Sequence, residues 1–556
     1  MRKGSREKAA DNTKIIHMAG EKINRKFIKK RPDRKIKIPP PVSCSLICAH
    51  KNDMIRKIFK GCDCFLQRNE MKNIDVRGDD MVFSSMLFVF FFLAANLISQ
   101  MVLKTPKSKN IAMLVFSLVF YSWSGPKYLF LLLLMSLICW LGGLLVYTLP
   151  EGRKKPAMGI TVALCLLILC IFKYTGLILG TTQSLFGVPE IVPTIVLPVG
   201  ISFYTFQLIS YVVDVYRGEV APQEKYWKLL LYASLFHQCI AGPIVRYRDV
   251  NEDIERRIAS RKELSRGITR FTVGLAKKAV LANGCAAIAD ELLGLDAAGL
   301  AAVPALGILL GAFAFTLEIY LDFSAYSDMA IGMGLMCGFH YKENFDYPYM
   351  SVSIKEFWNR WHISLGTFFR DYVYIPLGGN RCSTGRQIFN LAVVWGLTGL
   401  WHGASWNFLL WGLFYGLLLI LERFVLKDKL AAIPGAARRF IVFILVMFGW
   451  ILFYYTDFGL LGTALKGLFG LNGNGLNNTS TGMIFKNNIW FLIFATIAVT
   501  PLGKTLRTML NNAGRRSEAL SLVNTVWEVM HPALLLIVSA MALAGDSYNP
   551  FLYFRF

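Results

Sequence analysis

The sequence predicts an all-α, multi-spanning membrane protein, on three observations. Of its 556 residues, 54% are hydrophobic and only 17% are charged, more apolar than a usual soluble domain. Apolar runs of about 18 residues or more, enough to cross a ~30 Å hydrocarbon core, recur along the chain. Basic residues collect in the breaks between those runs. In hydrocarbon every backbone N–H and C=O needs an internal partner, so helices are the expected spanning form.

Residues 1–80 differ from everything after them. They carry twenty-one Lys and Arg against ten acids, close to half of the formal charge of +24. They show no clear period and no signal-peptide layout. We expect a basic, disordered extension at 1–80 followed by one membrane domain at 81–556. Met81 is the expected true start, because Arg77-Gly78-Asp79 can be encoded by a string that resembles a bacterial ribosome-binding site. The other reading is a basic tail lying on anionic lipid. Cys44, Cys48, Cys62 and Cys64 match no strong zinc spacing. Most of the remaining cysteines fall in apolar runs, where a thiol acts as a small hydrophobe. No metal site is expected.

The clearest spans are 81–100, 128–149, 158–179 and 440–455. Others lie around 305–320, 391–421, 488–502 and 532–544, for roughly ten to twelve in all. Basic loops at 153–155, 246–270, 427–439 and 504–516 mark the cytoplasmic side by the positive-inside rule. The stretch 246–270 interleaves acids and bases and reads as one amphipathic helix on that face. Nothing after residue 80 supplies the soluble basic surface that nucleic acid requires. The chain shows no internal repeat, which weighs against a transporter built from inverted halves.

Polar chemistry enters at 192–216. Pro193, Pro198 and Gly200 interrupt an apolar stretch, and Ser202, Tyr204, Gln207, Ser210, Tyr211 and Asp214 follow. Such groups are tolerated at membrane depth where they face protein or a water-filled cavity. Residues 313–412 carry the most unusual chemistry. Glu318, Asp322 and Asp328 lie in LEIYLDFSAYSDMAIGMG. Each charge at the bilayer centre costs ~2.5–3.5 kcal/mol on insertion scales, so these acids must pair with cations or line a polar channel. Next comes SVSIKEFWNRWHISLGTFFRDYVYIPLGGNR, with Trp361, His362 and Arg370. It is too polar to span and too aromatic for a free loop, so short re-entrant or amphipathic helices lining a cavity are expected. Gly378-Gly379-Asn380 closes it with a turn.

Last is TGLWHGASWNFLLWG, where His402 heads an uncharged run. A lone histidine in an apolar helix is usually a packed one, but the neighbours point elsewhere. Gly399 and Gly403 allow close approach. Trp401 and Trp406 are candidates to wall a slot, and Asn407 offers both a donor and an acceptor. A neutral imidazole in a dry site suits a general base for a hydroxyl nucleophile.

At these motifs the sequence resembles the membrane-bound O-acyltransferase family, in the bacterial branch typified by the membrane subunit of alginate O-acetylation. The resemblance runs from MVFSS through GISFYTFQLISYVVDVYRG, AGPIVRY, LDFSAYSDMAIG, ENFDYPY, IKEFWNRWHISLGTFFRDYVYIPLGGNR and TGLWHGASWNF to SYNPFLYFRF. It spans Met81 to Phe556 in order. Leu321 and Ala325 stand where relatives often have Phe and Gly. The resemblance implies about eleven spanning helices with re-entrant elements around a central tunnel. It implies His402 as the catalytic residue and His362 as its companion, the latter at a place that is Asn or His across the wider family. Trp401, Asn407, Trp406, Trp361, Asp322, Asp328, Glu318 and Arg370 are the candidate substrate or tunnel-lining residues.

The implied reaction moves an acetyl group from a thioester, most simply acetyl-CoA, to a hydroxyl at the far face of the membrane. The donor is a substrate, and no permanently bound cofactor is implied. The implied partners are an extracytoplasmic SGNH-type protein and the lipid bilayer of a bacterial cytoplasmic (inner) membrane. A sister branch transfers D-alanine to teichoic acid and is the alternative enzyme. A transporter or flippase is the alternative outside enzymes: it would account for the intramembrane acids but not for WNRWHISL together with LWHGASWNF.

Overall fold

The computed structural model describes residues 81–556 apart from 124, 188–194, 240–241, 515–516, 546–551 and 553–556. The expected extension 1–80 with its four cysteines therefore lies outside the described residues. So do Pro193 and most of SYNPFLYFRF. Among the described residues every regular element is a helix. Eight helices are long and apolar enough to cross a membrane: Pro126–Thr148, Glu151–Phe186, Arg261–Leu292, Ala305–Cys337, Trp406–Leu426, Gly435–Tyr454, Thr479–Ala498 and Glu518–Gly545. Phe88–Val102 and Phe458–Leu468 are shorter apolar helices. The protein is a multi-pass membrane protein.

Two kinds of helix build it. On Glu151–Phe186 and Thr479–Ala498 most large apolar side chains point outward, as at Leu185, Phe186 and Trp490. Those surfaces suit lipid, which is as apolar as they are. Ile201–Tyr216 and Ala305–Cys337 are buried along almost their whole length, polar residues included. The bundle thus places its polar sequence inside and its apolar sequence on both sides of it.

Helix Arg261–Leu292 packs along Ala305–Cys337 through small residues. A Cβ added at Gly267 or Gly274 would meet the backbone of the facing helix at 2.6–2.7 Å. Close approach also pairs the charges. Lys278 meets Asp322 at 2.9 Å with both side chains fully buried. Asp328 accepts from Arg270 at 2.9 Å and from Lys277 at 2.5 Å. The stretch 246–270, expected as one amphipathic helix, is two. Tyr247–Arg256 ends before Arg257, and Ser260 and Glu263 form a reciprocal capping box that starts the next helix. That second helix does not stay at the surface but continues to Leu292 as a candidate span.

The run 391–421 likewise breaks. Thr384–His402 ends at His402, and a new helix starts at Trp406. The two cross tightly, since a Cβ at Gly399 or Gly412 would overlap the backbone of the opposite helix. The apolar interior falls into two clusters. One holds Phe203, Phe206, Phe368 and Trp401. The other holds Trp361, Trp411, Trp450 and Phe453.

Candidate active site

Three short helices replace a span at 354–374, as the mixed composition there requires. Ser353 Oγ accepts from Glu356 N at 3.0 Å, and Glu422 accepts from the backbone N–H groups of Ile354 (2.7 Å) and Lys355 (3.3 Å). Both acceptors satisfy first-turn donors of the helix Ile354–Arg360. The chain then turns at His362, whose φ of +46° is uncommon outside glycine. The turn is held from both sides. Asp346 N donates to Arg360 O and Ile363 N to Asn344 O, each at 2.9 Å. Asn344 Oδ1 also accepts from Ser364 N and Oγ. A constrained histidine with this support is consistent with strain held at a functional site.

His362 opens the helix Ile363–Phe369 and lies about 12 Å, at 1.5 Å per residue, from Arg370 at that segment's other end. Its ring is buried, and its Nδ1 has no hydrogen-bond partner from another described residue. His402 is the last residue of Thr384–His402. The two histidines stand forty residues apart in sequence and meet on one indole. The Trp401 ring centre lies 5.9 Å from that of His362 and 4.9 Å from that of His402.

Trp411 at 5.0 Å and Phe453 at 5.4 Å complete the wall around His402, all edge-on. His402 thus bridges the two aromatic clusters. Its side chain is part-buried among these rings. His362 and Lys173 are both within electrostatic reach of it. The indole N–H groups of Trp401 and Trp411 are buried without an acceptor among the described residues.

Asn407 lies beside this wall and donates to the carbonyls of Leu452 and Phe453 at 3.3 and 3.5 Å. Trp361 packs between Phe357 (5.5 Å) and Trp450 (4.7 Å), behind His362. Trp406 is not brought to the histidines. It is 48% exposed, and its N–H donates to Thr181. Trp411 occupies the place expected for it. On one helix Trp411 lies four residues after Asn407 and so shares its face, whereas Trp406 is rotated off it. That spacing was a signal the sequence offered. Asp322 and Asp328 sit in the ion pairs given above, and Glu318 is buried one turn before Asp322. Asp322 also accepts from the backbone of Leu552 at 3.1 Å, which ties the terminal motif to the buried helix.

Arg370 marks a different place, a cleft of about 210 Å³ lined by Arg246, Arg248, Lys342, Ser364, Thr367 and Asp371 among others. Arg246 meets Asp371 at 2.8 Å and Arg370 meets it at 2.7 Å. Burial pushes the Asp371 carboxyl up, but the hydrogen bonds from Arg370 and Arg246 outweigh it and hold the group below its ordinary range. Arg217 and Arg246 flank the Tyr372 ring at 5.1 and 5.2 Å, and Tyr372 donates to Asp214 at 2.6 Å. Ile363 and Ser364, which follow His362 directly in the chain, belong to the lining of this cleft.

The bundle thus brings two histidines from distant segments onto one buried indole, and no group of three or more metal-ligating side chains is present among the described residues. The profile described as MBOAT, membrane-bound O-acyltransferase family, matches residues 225–462. A "Probable alginate O-acetylase AlgI" of Azotobacter vinelandii is 34% identical over 508 residues, covering 86% of this chain and 100% of the relative. That of Pseudomonas putida is 36% identical over 495 residues with the same coverage. A "Peptidoglycan O-acetyltransferase" of Helicobacter pylori is 28% identical over 518 residues, covering 86% of this chain and 98% of the relative. The chain belongs to the membrane-bound O-acyltransferase family, and it is an O-acyltransferase.

Proposed function

We propose that this chain takes an acetyl group from a thioester, most simply acetyl-CoA, at its basic cytoplasmic face and passes it to a hydroxyl on the far side of the bacterial inner membrane. The observation that carries this reading is the meeting of His362 and His402 on Trp401, with Ile363 and Ser364, next to His362 in the chain, lining the Arg246–Asp371 cleft. The mouth suits the anionic end of the donor, since Arg guanidinium groups bind phosphate through paired hydrogen bonds.

In the chamber His402 takes the proton of the acceptor hydroxyl, whose oxygen attacks the thioester carbonyl. The C–O bond forms, the C–S bond breaks, and His402 returns the proton to the leaving thiolate. His362 hydrogen-bonds the donor. The unpaired N–H groups of Trp401 and Trp411 are the candidate donors to the oxyanion. The ion pairs at Asp322 and Asp328 hold the helices, and Asn407 fixes the wall at Phe453.

The acceptor is the hydroxyl of an SGNH-type partner or of a lipid-linked carrier, which then serves polysaccharide O-acetylation. Acetylating relatives align with 86% of this chain, whereas a "Teichoic acid D-alanyltransferase" of Bacillus subtilis aligns with 47% at 28% identity. This supports acetyl transfer over D-alanyl transfer.

Inverted membrane vesicles carrying the full chain together with its hydroxyl-bearing acceptor, given labelled acetyl-CoA outside, test the reading. Wild type is expected to release CoA and to deposit hydroxylamine-labile acetyl groups inside. Vesicles that contain the protein and release no CoA would end it.

A further inference from the structure

We propose that Lys173 and Tyr174, on the helix Glu151–Phe186, are positioning residues that fix His402 by capping the end of its helix from outside. This rests on the reading of His402 as the base. Glu151–Phe186 is otherwise a lipid-facing helix, and a lysine within it is costly. Lys173 is nonetheless only 7% exposed. Its ammonium donates to the Trp401 carbonyl and, at 3.4 Å, to Ser202 Oγ. It also lies 5.8 Å from the centre of the Trp401 ring. The adjacent Tyr174 donates its hydroxyl to the Leu400 carbonyl at 2.8 Å.

Leu400 and Trp401 belong to the last turn of Thr384–His402. The last four carbonyls of a helix have no partner within it, and buried ones must find partners elsewhere. Here two consecutive side chains of another helix supply them. Cations near a helix C-terminus are favoured by its dipole as well. No carboxylate pairs with Lys173 among the described ion pairs, so its Nζ is directed at the helix end and at Ser202. Ordinary lipid-facing packing explains neither the depth of this lysine nor its adjacency to Tyr174. A cap on the carbonyls one and two residues before His402 explains both.

The pair therefore holds the imidazole within reach of the acceptor hydroxyl. A misplacement of about 1 Å at such a site can cost about 10²-fold in rate. The test uses the full chain in vesicles with labelled acetyl-CoA and reads CoA release per folded protein. Lys173→Met is expected to lower kcat by about 10²-fold while leaving donor KM little changed. Lys173→Arg, which keeps a donor and the charge, is expected to recover most of the loss. Tyr174→Phe is expected to lower kcat by less.

Wild-type kcat in Lys173→Met overturns the proposal. So does a loss that only follows the amount of folded protein, or a rise in KM at unchanged kcat. If Lys173→Met does not accumulate, Tyr174→Phe and Lys173→Arg decide: a normal kcat in Tyr174→Phe, or a loss in Lys173→Arg as large as that of His402→Ala, overturns it. Wild type without turnover fails the acetyl-transfer reading itself, whereas active wild type with an indifferent Lys173→Met fails only this one.

Discussion

Around Asp371 the charges of Arg246, Arg248 and Arg370 neutralise a carboxylate at the edge of a cleft. Around His402 there is instead a wall of Trp401, Trp411 and Phe453, with a histidine and a lysine in electrostatic reach. The first region is a cleft lined by charged and polar side chains. The second is walled by buried aromatic rings packed against one another. A charged group tolerates solvent, so the mouth is suited to hold a donor and release it. An imidazole base works best where water does not compete and geometry is fixed. If the proposed function holds, the two regions divide binding from chemistry, and substitutions in each should have different kinetic signatures.

The largest effect is expected in the chamber. His402→Ala should lower acetyl transfer by roughly 10²–10⁴-fold or more, the usual cost of losing a general base. The protein should still accumulate in the membrane, because among the described residues no neighbour depends on a side-chain hydrogen bond from His402. Acetylation at the wild-type rate in His402→Ala vesicles would remove the chamber from the mechanism.

Next comes the scaffold beneath both regions. Lys278→Met leaves Asp322 buried without its cation. Breaking one side of a buried pair costs about 3–5 kcal/mol, whereas replacing both partners with apolar residues is often near neutral. Thermal unfolding in detergent should show Lys278→Met strongly destabilised and Lys278→Met with Asp322→Leu substantially recovered. A double variant no better than the single would assign Asp322 a role beyond pairing.

Much of this division was readable in the sequence. The spans, the short helices at 354–374 and the Gly378–Gly379 turn follow from composition, with φ values of +112° and +54° at the two glycines. The His362–His402 pair came from their motifs. The sequence could not show that Lys173 belongs to the site, because a lysine in an apolar run says nothing of which helix it faces. Phe453 was hidden for the same reason: helix neighbours are set by packing between distant segments. Trp406 stands nearest His402 in the chain, but helical phase carries Trp411, four residues after Asn407, to the histidine instead. The break at Arg257–Ser260 was legible in principle, since Ser260 and Glu263 have capping-box spacing, but the regular charge alternation masked it.

At the mouth, a smaller and differently shaped effect is expected. Arg246→Ala removes a hydrogen bond to Asp371 and one cation from the cleft. Hydrogen bonds to charged groups are worth about 1.5–3 kcal/mol, and 1.4 kcal/mol is tenfold in affinity. Donor KM should therefore rise about tenfold or more with kcat little altered, and the KM should grow more steeply with salt in wild type than in the variant. A fall in kcat at constant KM would contradict the assignment of binding to this region.

The smallest expected effect concerns pH, at the rim of the same cleft. His340 Nδ1 lies 3.0 Å from Asp253 and Nε2 lies 3.0 Å from Glu263, and its backbone N–H also donates to Asp253. The hydrogen bond with Glu263, and then that with Asp253, raise the imidazole above its ordinary value against the opposing pull of burial. A group raised in the folded state stabilises it fully below the unfolded value, about 6.5, and loses that contribution as pH climbs through the folded value. Thermal stability should thus decline as pH rises from about 6.5 through that higher value, and His340→Gln should flatten the decline. The imidazole is half exposed, so solvent screens it and the change should be modest. An equal slope in wild type and His340→Gln would place the pH response elsewhere. A slope of opposite sign would mean that His340 is neutral in the folded protein.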